Sequence, residues 1–229
     1  MTDRFPDAPF ALGIFDLDGT LVDSEPLANR LFAEHLTACG VPMAAAEAAR
    51  LFTGLRMPDC YALVQRDFGV RLPADFHDRL QAATFDALRR HLLPVPGAAE
   101  MLASLTLPKV VASSSEPEKI DLSLRATGLA GHFLRRFSGT QVARGKPAPD
   151  LFLLAASEMG VAPERCFVVE DSDPGVQAGL AAGMPTFALV PPDGHDAEGR
   201  RQRLAGAGAL VVARLEEIPR RLSGRLAAG

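Results

Sequence analysis

The sequence predicts an α/β fold, with a parallel sheet wrapped by helices and an all-helical segment inserted after the first strand. Three observations predict it. Short apolar, β-rich runs alternate with helical patterns, the first run is followed by a long interval without a strand, and polar residues gather just past the ends of the runs. The 229 residues suffice for one large domain or for a core with a modest second one.

The expected strands are "ALGIF" (11–15), "KVVA" (109–112), "RRFSG" (135–139), "CFVV" (166–169), "TFALV" (186–190) and "ALVV" (209–212). Residues 24 to 93 read as helices. Within "PLANRLFAEHLTACG", Leu27, Leu31 and Leu36 recur at helical spacing and Gly40 is a stop signal. "MPDCYALVQRDFG" and "PADFHDRLQAATFDALRRHL" repeat the pattern, with a proline near each start. The expected organisation is therefore a core of residues 1–24 and 94–229 and a helical cap of residues 25–93, with Pro94 and Pro96 as a hinge. Ser115 and Glu118 in "SEPE" spell a capping box, and Asp173 before Pro174 reads as an N-cap.

Composition narrows the function. Apolar residues make up 48% and charged residues 23%, as in globular proteins. A net charge of −4 lacks the basic surplus that holds a nucleic-acid backbone. The unpaired count of three cysteines, Cys39, Cys60 and Cys166, suits a reducing compartment, with each thiol packed as a small apolar group. "MTDRFPDAPF" interrupts any signal-peptide core with acid and proline, and no run approaches the ~18 apolar residues of a membrane span. The expectation is a cytoplasmic monomer that binds neither nucleic acid nor membrane. His35, His77, His91, His132 and His195 are scattered among polar neighbours and are assigned no catalysis.

In an open parallel sheet the ligand lies beyond the carboxyl ends of the strands. Asp16 and Asp18 follow the first strand, Ser113 the second, Lys146 the loop after the third, and Glu170 with Asp171 the fourth. Side chains two apart on extended backbone point the same way, so Asp16 and Asp18 are expected to face one point. Glu170 and Asp171 would bring the carboxylates there to four. Like charges that close require protonation or a cation, and hard oxygen donors without histidine or cysteine favour Mg²⁺.

Two other motifs fail on their spacing. An EF-hand loop starting at Asp16 would need glycine at Leu21 and glutamate at Leu27. A P-loop ending in Gly145-Lys146 would need four residues after its first glycine, whereas Gly139 leaves five, and Pro147 stands where Ser or Thr belongs.

"DLDGT", "VVASSS", Lys146 in "GKPAPD" and "VVEDSDPG", in this order, resemble the four motifs of the haloacid dehalogenase superfamily of phosphohydrolases. The helical insert is similar to that of its subgroup of phosphoglycolate phosphatases, sugar phosphatases and β-phosphoglucomutases. The resemblance implies a Rossmann-like doubly wound core and a Mg²⁺-dependent phosphatase. In such an enzyme Asp16 attacks phosphorus to form an aspartyl phosphate, while Asp18 protonates the leaving oxygen and then activates water. It implies Mg²⁺ held by Asp16, the Asp18 backbone carbonyl, Glu170 and Asp171, and phosphate held by Ser113, Ser114 and Lys146. Dehalogenases lack a use for the second aspartate and for metal, which argues against carbon–halogen cleavage.

The mutases of the subgroup carry a cap histidine where this chain has Ala28, so transfer to water is favoured over sugar-phosphate mutase activity. A non-catalytic metal- or phosphate-binding module would be expected to have lost Asp16 or Asp18. The expected substrate is a small phosphorylated metabolite. In "FTGLRMPD", Gly54 offers close backbone approach and Arg56 a second anion or hydroxyl site; Glu25, Asn29 and Arg30 lie near the first crossing.

Overall fold

The structure is a computed structural model that describes residues 8–52, 57–193 and 196–226. In chain order it runs β1 (Leu12–Phe15), α1 (Glu25–Ala38), α2 (Ala45–Phe52), α3 (Met57–Phe68), α4 (Phe76–His91), α5 (Ala98–Ser104), β2 (Lys109–Ser113), α6 (Pro117–Ala126) and β3 (Arg135–Ser138). It continues through α7 (Asp150–Glu158), β4 (Cys166–Glu170), α8 (Asp173–Ala181), β5 (Thr186–Leu189), α9 (Ala197–Gly206), β6 (Leu210–Val212) and α10 (Glu217–Arg221). All six expected strands form, and they join one parallel sheet in the order β3-β2-β1-β4-β5-β6. This is a Rossmann-like α/β sheet in which β1 lies at the centre, between β2 and β4.

That order follows from burial. β1, β4 and β5 are buried along their whole length, as strands covered on both faces must be. Phe167 of β4 anchors the middle by edge-to-face contacts with Phe10, Phe15 and Phe187 at 5.5, 5.8 and 5.9 Å between ring centres. Such pairs add roughly 0.5–1.5 kcal/mol each beyond area burial.

The chain divides into two compact units, Met1–Val22 with Pro94–Gly229, and Asp23–Leu93. In the first, the chain leaves and returns side by side: Val22 bridges Pro94, and the Val95 N–H donates to the Leu21 carbonyl at 2.9 Å. The second unit consists of α1 to α4 around Phe32, Leu36, Phe52, Val64 and Phe76. α2 falls within the interval expected to be helical, and its "AAEAARLF" turns Ala48 and Phe52 into this cluster from one amphipathic face. Arg56, Gly54 and His195 lie outside the described residues. No helix among the described residues is long and apolar enough to cross a membrane.

The three cysteines are unpaired; Cys60 and Cys166 are buried and Cys39 is half-buried. Burial pushes the Cys166 thiol up to about 12 and raises that of Cys60. Since the thiolate is the nucleophile, iodoacetamide should label Cys39 of the folded protein at least about tenfold faster than the other two. Peptide mass mapping of a labelling time course checks this, and equal labelling of Cys166 would contradict the packing.

Candidate active site

Asp16 directly follows β1, and its N–H continues the ladder by donating to the Val169 carbonyl at 3.0 Å. Its carboxylate is thereby fixed at the carboxyl edge of the sheet, nearly buried at 7% exposure. Lys146 arrives on the loop after β3, its preceding chain turned by Ser138, which accepts from the Thr140 N–H. The ammonium donates to Asp16 Oδ1 at 2.6 Å, Glu170 Oε1 at 2.7 Å and the Ala112 carbonyl at 3.1 Å. It also sits 4.9 Å from the centre of the Phe152 ring.

Glu170 ends β4 and is fully buried. Its second oxygen accepts from the Ser172 N–H and hydroxyl at 2.8 and 2.9 Å. Ser172 in turn caps α8, its hydroxyl accepting from the Gly175 N–H. Thr20 is fully buried, and its hydroxyl donates to Asp171 Oδ1 at 2.9 Å.

Asp16, Glu170 and Asp171 each offer an oxygen within 4.8 Å of the others. Fully ionised, three carboxylates and the one ammonium of Lys146 sum to −2. Two glycines leave room for this cluster. A Cβ on Gly19, whose φ is +79°, would lie 2.2 Å from Asp171 Oδ2, and one on Gly175 would lie 1.6 Å from Glu170 Oε1. Backbone must come this close where carboxylates converge, and only glycine permits it.

The charges perturb one another. Burial pushes the Asp16 carboxyl well above the usual carboxylate range; Lys146 opposes the rise, while Glu170 and Asp171 add to it. Burial alone would lower the Lys146 pKa, but the charges of Asp16 and Glu170 outweigh it and hold the ammonium above its ordinary value. Lys146 therefore keeps its proton, and the surplus negative charge falls on the carboxylates.

Three expectations are corrected. The converging carboxylates number three and not four. Asp18 turns its side chain to other partners: Oδ2 accepts from the Ser115 hydroxyl at 2.7 Å and Oδ1 from Lys119 at 2.9 Å. Ser115 forms no capping box, because α6 starts at Pro117 and Glu116 occupies the cap position without a side-chain bond. Asp173 is likewise the first residue of α8 and not its cap, and it pairs with Arg200 at 2.5 Å.

Ser113 does sit at the end of β2, buried, its hydroxyl accepting from the Ser115 N–H at 3.1 Å. Ser114 is exposed beside it, against Gly139, where an added Cβ would meet its Cα at 3.2 Å. The structure thus brings Asp16, Lys146, Glu170 and Asp171 together, with Asp18 tied to the loop after β2.

Thr20, Ser115, Lys119, Ser172 and Arg200 were not among the expected site residues. Thr20 lies within "DLDGT", whereas Lys119 sits in the first turn of α6 with no local pattern that ties it to Asp18.

Residues 12–183 match the family model of the haloacid dehalogenase-like hydrolases. The sequence is 32% identical over 175 residues to 6-phosphogluconate phosphatase of Escherichia coli, covering 76% of this chain and 79% of that protein. It is 33% identical over 177 residues to the fructose-1-phosphate phosphatase of the same organism, covering 75% and 92%. Among solved structures, a haloacid dehalogenase family hydrolase from Deinococcus radiodurans with bound phosphate and sodium superposes with a TM-score of 0.78 at 35% identity, covering 93% of this chain and 94% of that one. With three quarters of its length aligned to such relatives and a carboxylate cluster at the expected strand ends, the chain belongs to the haloacid dehalogenase-like hydrolases.

Proposed function

We propose that the protein is a Mg²⁺-dependent phosphatase that hydrolyses a small phosphomonoester, a sugar phosphate or related organic phosphate, through an aspartyl-phosphate intermediate on Asp16. The observation that carries the reading is the convergence of Asp16, Lys146, Glu170 and Asp171 from three separate strand ends. The named activities of the Escherichia coli relatives, both directed at sugar phosphates or their acids, support the substrate class.

The donor set fits a divalent ion. All three side-chain donors are hard oxygens, the cluster's surplus charge is −2, and Gly19 and Gly175 clear the space around it. Asp16, Glu170 and Asp171 would hold the ion with the backbone carbonyl of Asp18. Bound there, it supplies positive charge against the dianionic phosphate.

The chain's own groups divide the rest of the work. Asp16 forms the new oxygen–phosphorus bond as the ester oxygen leaves, and Asp18 gives that oxygen a proton. Asp18 then takes a proton from water, whose oxygen attacks phosphorus and frees the Asp16 carboxylate. Lys146 and Ser113, with the Ser114 amide, hold phosphate oxygens, and Lys146 keeps Asp16 aligned through its 2.6 Å contact. Ser115 and Lys119 hold the Asp18 carboxyl from the other side.

Substrate choice is assigned to residues 25–93, acting as a cap on a core of residues 1–24 and 94–229, because the core's charged groups address only the phosphate. Arg56 in that segment is the proposed second anion contact. Three free thiols suit a cytoplasmic enzyme.

A panel of phosphorylated metabolites assayed with Mg²⁺ should reveal at least one substrate whose turnover EDTA abolishes and added Mg²⁺ restores. Absence of turnover above an Asp16→Asn control across the panel would overturn the reading.

A further inference from the structure

We infer that Arg200 is a positioning residue that sets the divalent-ion affinity of the site by fixing the backbone at Asp171. The inference rests on the metal-binding reading above and extends it to α9, a helix beyond β5 that carries none of the site's charged groups.

Several side chains hold the acidic loop after β4. Lys146 and Ser172 pin Glu170, and Thr20 fixes the Asp171 side chain. A further hold is on the backbone. Arg200 Nε donates to Asp173 Oδ1 at 2.5 Å, and its Nη2 donates to the Asp171 carbonyl. One guanidinium thus bridges residues 171 and 173 across the turn into α8. Its side chain is 25% exposed, so the contact is sheltered from full solvent competition. A planar fork holds two acceptors in a fixed relation, which a lysine ammonium cannot do.

Charge and geometry make opposite demands here, and the opposition makes the idea testable. A nearby positive guanidinium repels a bound cation, so if Arg200 acted only through its charge, its removal would tighten binding. If it acts by holding the Asp171 backbone, removal loosens binding, as loss of groups that orient metal ligands does by about 10–100-fold.

The experiment is Mn²⁺ titration of the full chain without substrate, following free Mn²⁺ by electron paramagnetic resonance, for wild type, Arg200→Ala and Arg200→Lys. Arg200→Ala should raise the Mn²⁺ dissociation constant about tenfold. Arg200→Lys, which keeps the charge and the bulk but not the fork, should remain several-fold weaker than wild type. Wild-type binding with unchanged or tighter binding in both variants would overturn the inference and leave the metal reading intact. Failure of the wild type itself to bind Mn²⁺ would overturn both. Far-ultraviolet circular dichroism identifies a variant that has lost its fold, and in that case the other variant decides.

Discussion

Asp16→Asn should lower turnover of the best substrate by at least about 10⁴-fold, because an amide nitrogen or carbonyl cannot replace the carboxylate proposed to bond to phosphorus. The same substitution should leave the melting temperature unchanged or higher. Burial and the neighbouring carboxylates hold the Asp16 carboxyl well above its usual range, so its charge is unfavourable in the folded chain without a cation. Removing that charge relieves repulsion with Glu170 and Asp171 and gives up the ion pair with Lys146. A kinetic assay beside a thermal melt separates the two effects. A variant that stayed within tenfold of wild-type turnover would place the nucleophile elsewhere.

Lys146→Met should destabilise the protein by about 3 kcal/mol, roughly 6–12 °C in melting temperature for a chain of this size. The lysine side chain is 6% exposed and pairs with two carboxylates whose own side chains are 10% and 1% exposed. Without it they are left as like charges with no buried counter-ion. Because the cluster then carries −3 instead of −2, Mg²⁺ should raise the melting temperature of the variant more than that of the wild type. Differential scanning fluorimetry with and without Mg²⁺ measures both terms. An unchanged melting point, or equal rescue by Mg²⁺, would show that the lysine does not balance these charges.

Much of this site was legible in the sequence because its charged residues follow apolar runs. "KVVAS" and "CFVVE" end buried strands on a polar group and "GIFD" puts one directly after its strand, so position along the chain alone places these groups at the carboxyl edge of the sheet. Asp18 was harder. Its spacing from Asp16 suggested a shared direction, yet the chain turns at Gly19, where φ is +79°, and the side chain goes to Ser115 and Lys119.

"SEPE" satisfies the capping pattern at Ser115, but Pro117 moves the helix start one residue on. Arg200 was illegible for a different reason. It meets Asp171 across 29 positions of sequence, a partnership created by the packing of α9 and not by any local pattern.

The paired crossing at Val22 and Pro94 has a thermodynamic corollary. With the chain's departure and return already held together inside the sheet-bearing unit, the segment between them is a closed loop whose ends need no further ordering. Doubling the length of such a loop costs only about 0.6 kcal/mol in closure entropy. The helices between Val22 and Pro94 can therefore be shortened or enlarged at little cost to the stability of the sheet-bearing unit.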